Sequence, residues 1–240
     1  SNYNNNTGTW SGEGATVNDA YVGVYYPAAQ STDLTGSTIV VPPSHMALRT
    51  MIRSDDVSFP WFAPAGTKRG LVDNATQLGY VNASTGEFTL AGLTEGVRDT
   101  LYENKINPIT FLPGIGLLVY GQKTRDANAP SSLDRINVAR LVVYMRTNLD
   151  TLAKPFVFEP NDKLTRDEIK QLVEQLCNDL VAKRALNDYV VVCDETNNTP
   201  VRIDRNELYV DVAIEPVKAA EFIFVPIRLK NTGEIAGTSV

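Results

Sequence analysis

The residue types that carry most protein chemistry are scarce in this chain, and their spacing is unsuited to catalysis. His45 is the only histidine, which removes most histidine-based triads, dyads and metal sites. It lies beside the start of a predicted helix and reads as structural. Cys177 and Cys193 are the only cysteines and form no CxxC. One falls in a helical pattern and the other in a strand pattern, so both read as reduced core thiols. Asp55-Asp56 and Asp194-Glu195 are adjacent carboxylates beside predicted turns, the position of solvated surface, although a two-acid hydrolase needs no sequence neighbours. Gly114-Ile115-Gly116 begins like a dinucleotide loop, but Val119 stands where the third glycine would be and no long helix follows. It reads as a turn. The chain has no GxxxxGK[ST] phosphate loop. Sequons at Asn5, Asn74, Asn82 and Asn197 carry no meaning without a secretory signal. No catalytic residue, metal ligand or cofactor is assigned.

Composition points the same way. The 240 residues are 43% hydrophobic and 21% charged, enough for a sizeable core and without the signature of disorder. The net charge of −6 disfavours a nucleic-acid partner, which needs a basic surface to displace counterions. No apolar run approaches the ~20 residues that span a bilayer, so direct membrane insertion is not expected.

The elements follow from periodicity and punctuation. Residues 1–20 are polar and glycine-rich and read as a linker from missing upstream domains. Residues 21–26 (YVGVYY) read as a strand, 27–37 as a loop and 39–41 as a short extended piece. A helix from Ser44 has Met46, Ala47, Met51 and Leu48 on its apolar side. Residues 59–70 (FPWFAPAGTKRG) cannot be regular, because Pro60, Pro64, Gly66 and Gly70 interrupt three large aromatics; they read as a rigid packed loop. A hairpin is predicted over 82–93, a short helix capped by Thr94, and two extended runs over 109–112 and 117–120.

Two longer helices follow. Ser131 and Asp134 have capping-box spacing ahead of Val138, Leu141, Val142, Met145, Leu149 and Leu152. Thr165 and Glu168 repeat it ahead of Ile169, Leu172, Val173, Leu176 and Leu180, in a helix expected to run to Leu186. The end is β-rich. Residues 189–193 read as a strand, 197–200 as a turn, and 207–214 as a strand with Leu208, Val210, Val212 and Ile214 on one face. That strand is expected to form a hairpin with 222–229 around 216–218. The fold class is α+β, a mixed sheet packed with several helices, with the sheet built largely at the C-terminal end.

Six stretches in order resemble the C-terminal core of contractile tail sheath proteins from myovirus phages: residues 59–70, 106–110 (INPIT), 119–124 (VYGQKT), 134–141 (DRINVARL), 158–162 (FEPND) and 191–207 (VVCDETNNTPVRIDRNE). The resemblance implies a structural subunit and no enzyme. Such subunits polymerise around a tail tube as stacked hexameric rings or a helix, then contract to drive the tube through the host envelope. Implied partners are other sheath subunits, the tube protein, and baseplate and tail terminator proteins. The implied location is the virion tail, assembled in the host cytoplasm. The alternatives are an R-type bacteriocin or type VI secretion sheath, and a sugar-binding or hydrolytic tail component using the 59–62 aromatics.

The resemblance also implies strand exchange between subunits. Residues 21–240 would be the core domain with a C-terminal arm over about 220–240. Phe222, Ile223, Phe224, Val225, Ile227 and Leu229 would form the exchanged terminal strand. Arg166, Lys170, Lys183 and Arg184 are candidates to face the tube. Asp134, Arg135, Asp204 and Arg205 read as local charge pairs at element starts or as ion pairs between subunits.

Overall fold

The structure is a computed structural model that describes residues 2–4, 9–11, 17–126, 128 and 131–223. The class is α+β. Strands β1 (Asn2–Asn4) and β2 (Thr9–Ser11) pair antiparallel inside the stretch read as linker. Of the strand expected over 21–26, only β3 (Tyr25–Tyr26) is regular. The carbonyls of Val22 and Val24 instead accept from Arg125 and Asn107 N–H groups.

The expected loop over 27–37 is mostly strand. β4 (Ala28–Thr32) turns into β5 (Thr38–Val41) within five residues. The Asp33 carboxylate makes this possible by accepting the N–H groups of Thr35 and Ser37, and Gly36 takes φ +86°. β4 also pairs with β6 (Gln77–Val81), which pairs with β7 (Phe88–Leu90), giving a four-stranded antiparallel sheet in the order β5-β4-β6-β7. Gly79 in β6 is obligatory, because a Cβ there would lie 2.3 Å from the Thr89 carbonyl oxygen. A second sheet, β3-β8-β9, is built from β8 (Asn107–Leu112) and β9 (Gly116–Val119). The Gly114-Ile115-Gly116 turn joins them, as expected.

Helix α1 (Pro43–Val57) buries Met46, Ala47, Thr50 and Ser54. Leu48 is 58% exposed and leaves the expected apolar side. Met46 joins Ala29, Val41, Val72, Leu78, Ile109, Leu117 and Val119 in the first core. The short helix α2 (Gly66–Arg69) closes the aromatic loop, and α3 (Glu95–Glu103) precedes β8. Sheet is therefore concentrated in the N-terminal half, contrary to expectation.

The second core is helical with one ribbon. Ser131 caps a 3-10 turn, Ser132–Asp134, by accepting from Leu133 N–H, so α4 (Ile136–Ala153) starts only after Arg135. A further 3-10 turn, Lys154–Phe156, ends it. Helix α5 (Lys163–Ala182) begins ahead of Thr165: Asp162 is the cap, accepting Thr165 N–H at 2.9 Å. It ends before Leu186 because Arg184 adopts φ +62°. Ala185 N–H then reaches Leu180 O and Arg184 N–H reaches Val181 O, the closure of a Schellman motif.

Strand β10 (Leu186–Val192) follows, and the short helix α6 (Pro200–Asp204) leads to β11 (Asp211–Pro216). β11 pairs antiparallel with β10. The expected partner of 207–214 is 222–229, most of which lies outside the described residues. Residues 207–210 are irregular, Phe222 and Ile223 carry no strand pairing, and 224–229 lie outside the described residues. The alternation is as expected: Leu208, Val210, Val212 and Ile214 all pack on the second core, with Trp61, Leu141, Met145, Ile169, Val173 and Cys177.

Candidate assembly surface

Among the described residues the β10–β11 ribbon leaves bonding capacity open on both edges. It is a two-stranded sheet with no further strand on either edge among the described residues. One face rests on α5. Beside β11 the apolar layer continues into a groove of about 1120 Å³, lined by Leu152, Phe156, Leu172, Val173, Leu208 and Val210 among others. At its rim Phe158 is fully exposed and has φ +76°, a conformation uncommon for a bulky side chain. Unpaired main chain beside an apolar slot suits one kind of ligand: an extended segment that adds a strand and places alternate side chains in the slot.

A pair of buried asparagines aligns the ribbon. β10 and β11 are joined by an excursion over 193–210, too long for its own turn to fix the register. Asn198 binds both main-chain groups of Tyr209: its Oδ1 accepts Tyr209 N–H at 2.7 Å and its Nδ2 donates to Tyr209 O at 2.9 Å. Asn197 Nδ2 donates to Val192 O and to the Asp211 carboxylate, both at 2.8 Å, while its Oδ1 accepts Asp194 N–H. The end of β10 is thus tied to the start of β11. Sequence reading recognised these residues only as a turn and missed the clasp.

The candidate charges do not form one face. Arg166 shares the buried side of α5 with Ile169, Val173, Cys177 and Leu180. Its guanidinium donates to Asn161 O and Oδ1, so it supports the fold and is not a surface contact of this chain. Lys170 is half-buried, Lys183 pairs with Asp179 at 2.6 Å, and Arg184 is exposed. Asp204 and Arg205 are exposed at the end of α6. Arg135 bonds Asp134 at 2.8 Å and also Glu221, so its charge is met within the chain.

The residues with chemical potential are turned to other uses. His45 is exposed on α1. Asp55 pairs with Arg140, and Asp194 is held below the usual carboxylate range by its Thr196 hydroxyl and N–H contacts. Cys177 and Cys193 are free and buried, and burial pushes both thiols up. Among the described residues no group of three or more His, Cys, Asp or Glu could hold a metal ion, and no helix is long and apolar enough to cross a membrane. The 59–62 aromatics stack on one another, Phe59 on Trp61 at 4.7 Å, and Trp61 is buried.

Residues 128–230, which include the ribbon, match the phage tail sheath C-terminal domain. The match in sequence covers that C-terminal stretch, and the likeness in shape covers most of the chain. The tail sheath protein of Enterobacteria phage T4 is 36% identical over 181 residues, 75% of this chain and 26% of that protein. That of Vibrio phage KVP40 is 36% identical over 71% of this chain and 24% of its own length. The chain therefore spans about a quarter of the curated sheath proteins it matches. Among solved structures, the anti-feeding prophage helical sheath in its contracted state superposes with a TM-score of 0.77 at 22% identity. It covers 92% of this chain and 59% of that one. An extracellular contractile injection system sheath, also contracted, gives 0.71 at 22% identity, over 90% of this chain and 58% of that one. The sheath architecture thus extends beyond the 128–230 match to the N-terminal sheets.

Proposed function

We propose that this chain is the inner, polymer-forming part of a phage contractile tail sheath subunit, and that it is not an enzyme. The observation that carries this reading is the two-stranded β10–β11 ribbon with its apolar groove, which suits a strand supplied by another subunit. Residues 222–229 have the composition of that strand. Ile223, Val225, Ile227 and Leu229 alternate with Phe222, Phe224, Pro226 and Arg228, so one apolar stripe would enter the groove of a neighbour. Each subunit then gives a strand and receives one, and such head-to-tail contacts generate a helix rather than a closed pair.

In this reading residues 21–240 are the core domain, with its C-terminal arm over about 220–240. The partners are other sheath subunits, the tail tube, and the baseplate and terminator at the polymer's ends. Lys170, Lys183 and Arg184 are the candidates for contact with the tube, and Asp204 and Arg205 for contact between subunits. The particle is the virion tail, built in the host cytoplasm. The likeness to injection-system sheaths supports the architecture; the phage relatives at 36% identity favour the phage tail.

Two changes in the full sheath subunit test the reading. Deleting 224–240 is expected to abolish ordered polymers in electron micrographs while leaving soluble, folded subunits. Normal sheaths from that deletion would exclude the exchanged strand. Leu152→Arg places a charge in the groove without touching the ribbon. It should raise the concentration needed for assembly at least tenfold with little change in subunit stability, and unchanged assembly would mean that the groove takes no part.

A further inference from the structure

We infer that Glu221 is a latch that fixes the point at which the C-terminal arm leaves the domain, and that Arg135, Gln122 and Tyr102 form its keeper. The inference rests on the reading of 222–229 as a strand for a neighbour.

The path of the chain after β11 shows the need for such a device. Val217 N–H bonds Ala185 O, and Lys218, Ala219 and Ala220 are then exposed. Glu221 turns back into the body, its side chain only 15% exposed. Immediately beyond it, Phe222 and Ile223 are 70% and 81% exposed. One inward side chain therefore separates an exposed crossing from an exposed arm.

That side chain is heavily engaged. Arg135 donates to both Glu221 oxygens, Nε to Oε1 at 2.6 Å and Nη2 to Oε2 at 3.0 Å. This is the bidentate fork that fixes direction as well as distance. Gln122 Nε2 donates to Oε1 at 3.1 Å, and the Tyr102 hydroxyl lies within the influence of the same carboxylate. Burial, then the carboxylate itself, hold that hydroxyl well above the usual phenol range.

The keeper is assembled independently of the arm. Lys123 and Arg135 face each other in an antiparallel bridge, and Ile136 N–H bonds Gln122 O. Lys123 Nζ lies 4.1 Å from the Tyr102 ring centre and donates to Tyr102 O at 2.8 Å. Arg135 also keeps Asp134 at 2.8 Å. Three segments distant in sequence thus converge on one carboxylate. Glu221 does not define the site; it is received by it. Glu221 is a positioning residue, acting on assembly through the root of the arm.

Hydrogen exchange on this chain tests the latch, with Glu221→Gln, Arg135→Gln and the double variant. Each single change should speed exchange of the Val217 amide, bonded to Ala185 O just ahead of the latch, at least tenfold while α5 and β10 keep their protection. The double variant should be no faster than either single, since one interaction is being removed. Unchanged exchange, or effects that multiply in the double variant, would overturn the latch. In the full sheath subunit, Glu221→Gln should slow polymer growth at least tenfold. A loosened Val217 amide with unchanged growth would overturn its role in aiming the arm. Deleting 224–240 probes the strand reading separately: if assembly survived it, that reading would fail while the exchange result on the latch stood.

Discussion

Trp61→Ala is expected to destabilise the domain by about 4 kcal/mol, the middle of the range for truncation of a buried aromatic. The magnitude follows from what the indole holds together. Its ring stacks on Phe59 at 4.7 Å with an 8° tilt and meets Tyr144 of α4 edge-on at 5.3 Å. Its Nε1 donates to Lys183 O just past α5 at 3.1 Å, and its own carbonyl accepts from Asn137 Nδ2. The side chain therefore joins the aromatic loop, α4 and the end of α5. Removing it opens a cavity in the second core and leaves the Lys183 carbonyl without that donor. Trp61→Phe keeps most of the stack and loses the hydrogen bond, for a cost nearer ~1.5 kcal/mol. Urea denaturation of the three proteins checks the order, and an alanine variant within ~1 kcal/mol of the parent would mean that the loop packs independently of the helices.

Asn198→Ala should cost about 3 kcal/mol, because it takes the acceptor from Tyr209 N–H, leaves Tyr209 O only the 3.2 Å bond from Asn197 Nδ2, and empties a buried position. The loss falls at the entrance to β11. Amides over 209–216 should therefore lose hydrogen-exchange protection well before those of α4 and α5. Under the proposed strand exchange, assembly of the full subunit should fail at concentrations where the parent forms sheaths, since β11 would be unaligned. If 209–216 kept their protection, the β10–β11 ladder alone would be setting the register.

How far the sequence predicted this structure depends on the range of each interaction. The body of α5 was legible, because Ile169, Val173 and Leu180 recur at helical spacing and need only a core to face. So was the alternation from Leu208 to Ile214. Cap positions were less so: Asp162 and Thr165 are both good caps, and the choice is made by which oxygen reaches the N–H three residues on. The partner of β11 was not legible. A hairpin with the next apolar run was the local solution, whereas β10 lies across an excursion bridged by two asparagine side chains. Asn197 and Asn198 resemble any turn until Tyr209 is in place. Glu221 carried no signal either, because its three partners come from three separate segments. Arg166 misled for a related reason: its charge implied surface, while its register with Ile169 and Val173 already placed it inward. The proposal of an exchanged strand comes from the family resemblance, since no periodicity in this chain points to it.

The Glu221 clamp also has a mechanical consequence. A tether pulled at its end ordinarily peels the strand it grew from, one hydrogen bond at a time. Here tension applied beyond residue 221 first meets the Arg135 fork, at the base of α4, and must break its bonds together in shear before the load reaches β11. The β10–β11 ribbon is thereby shielded from a pull on the chain that follows it.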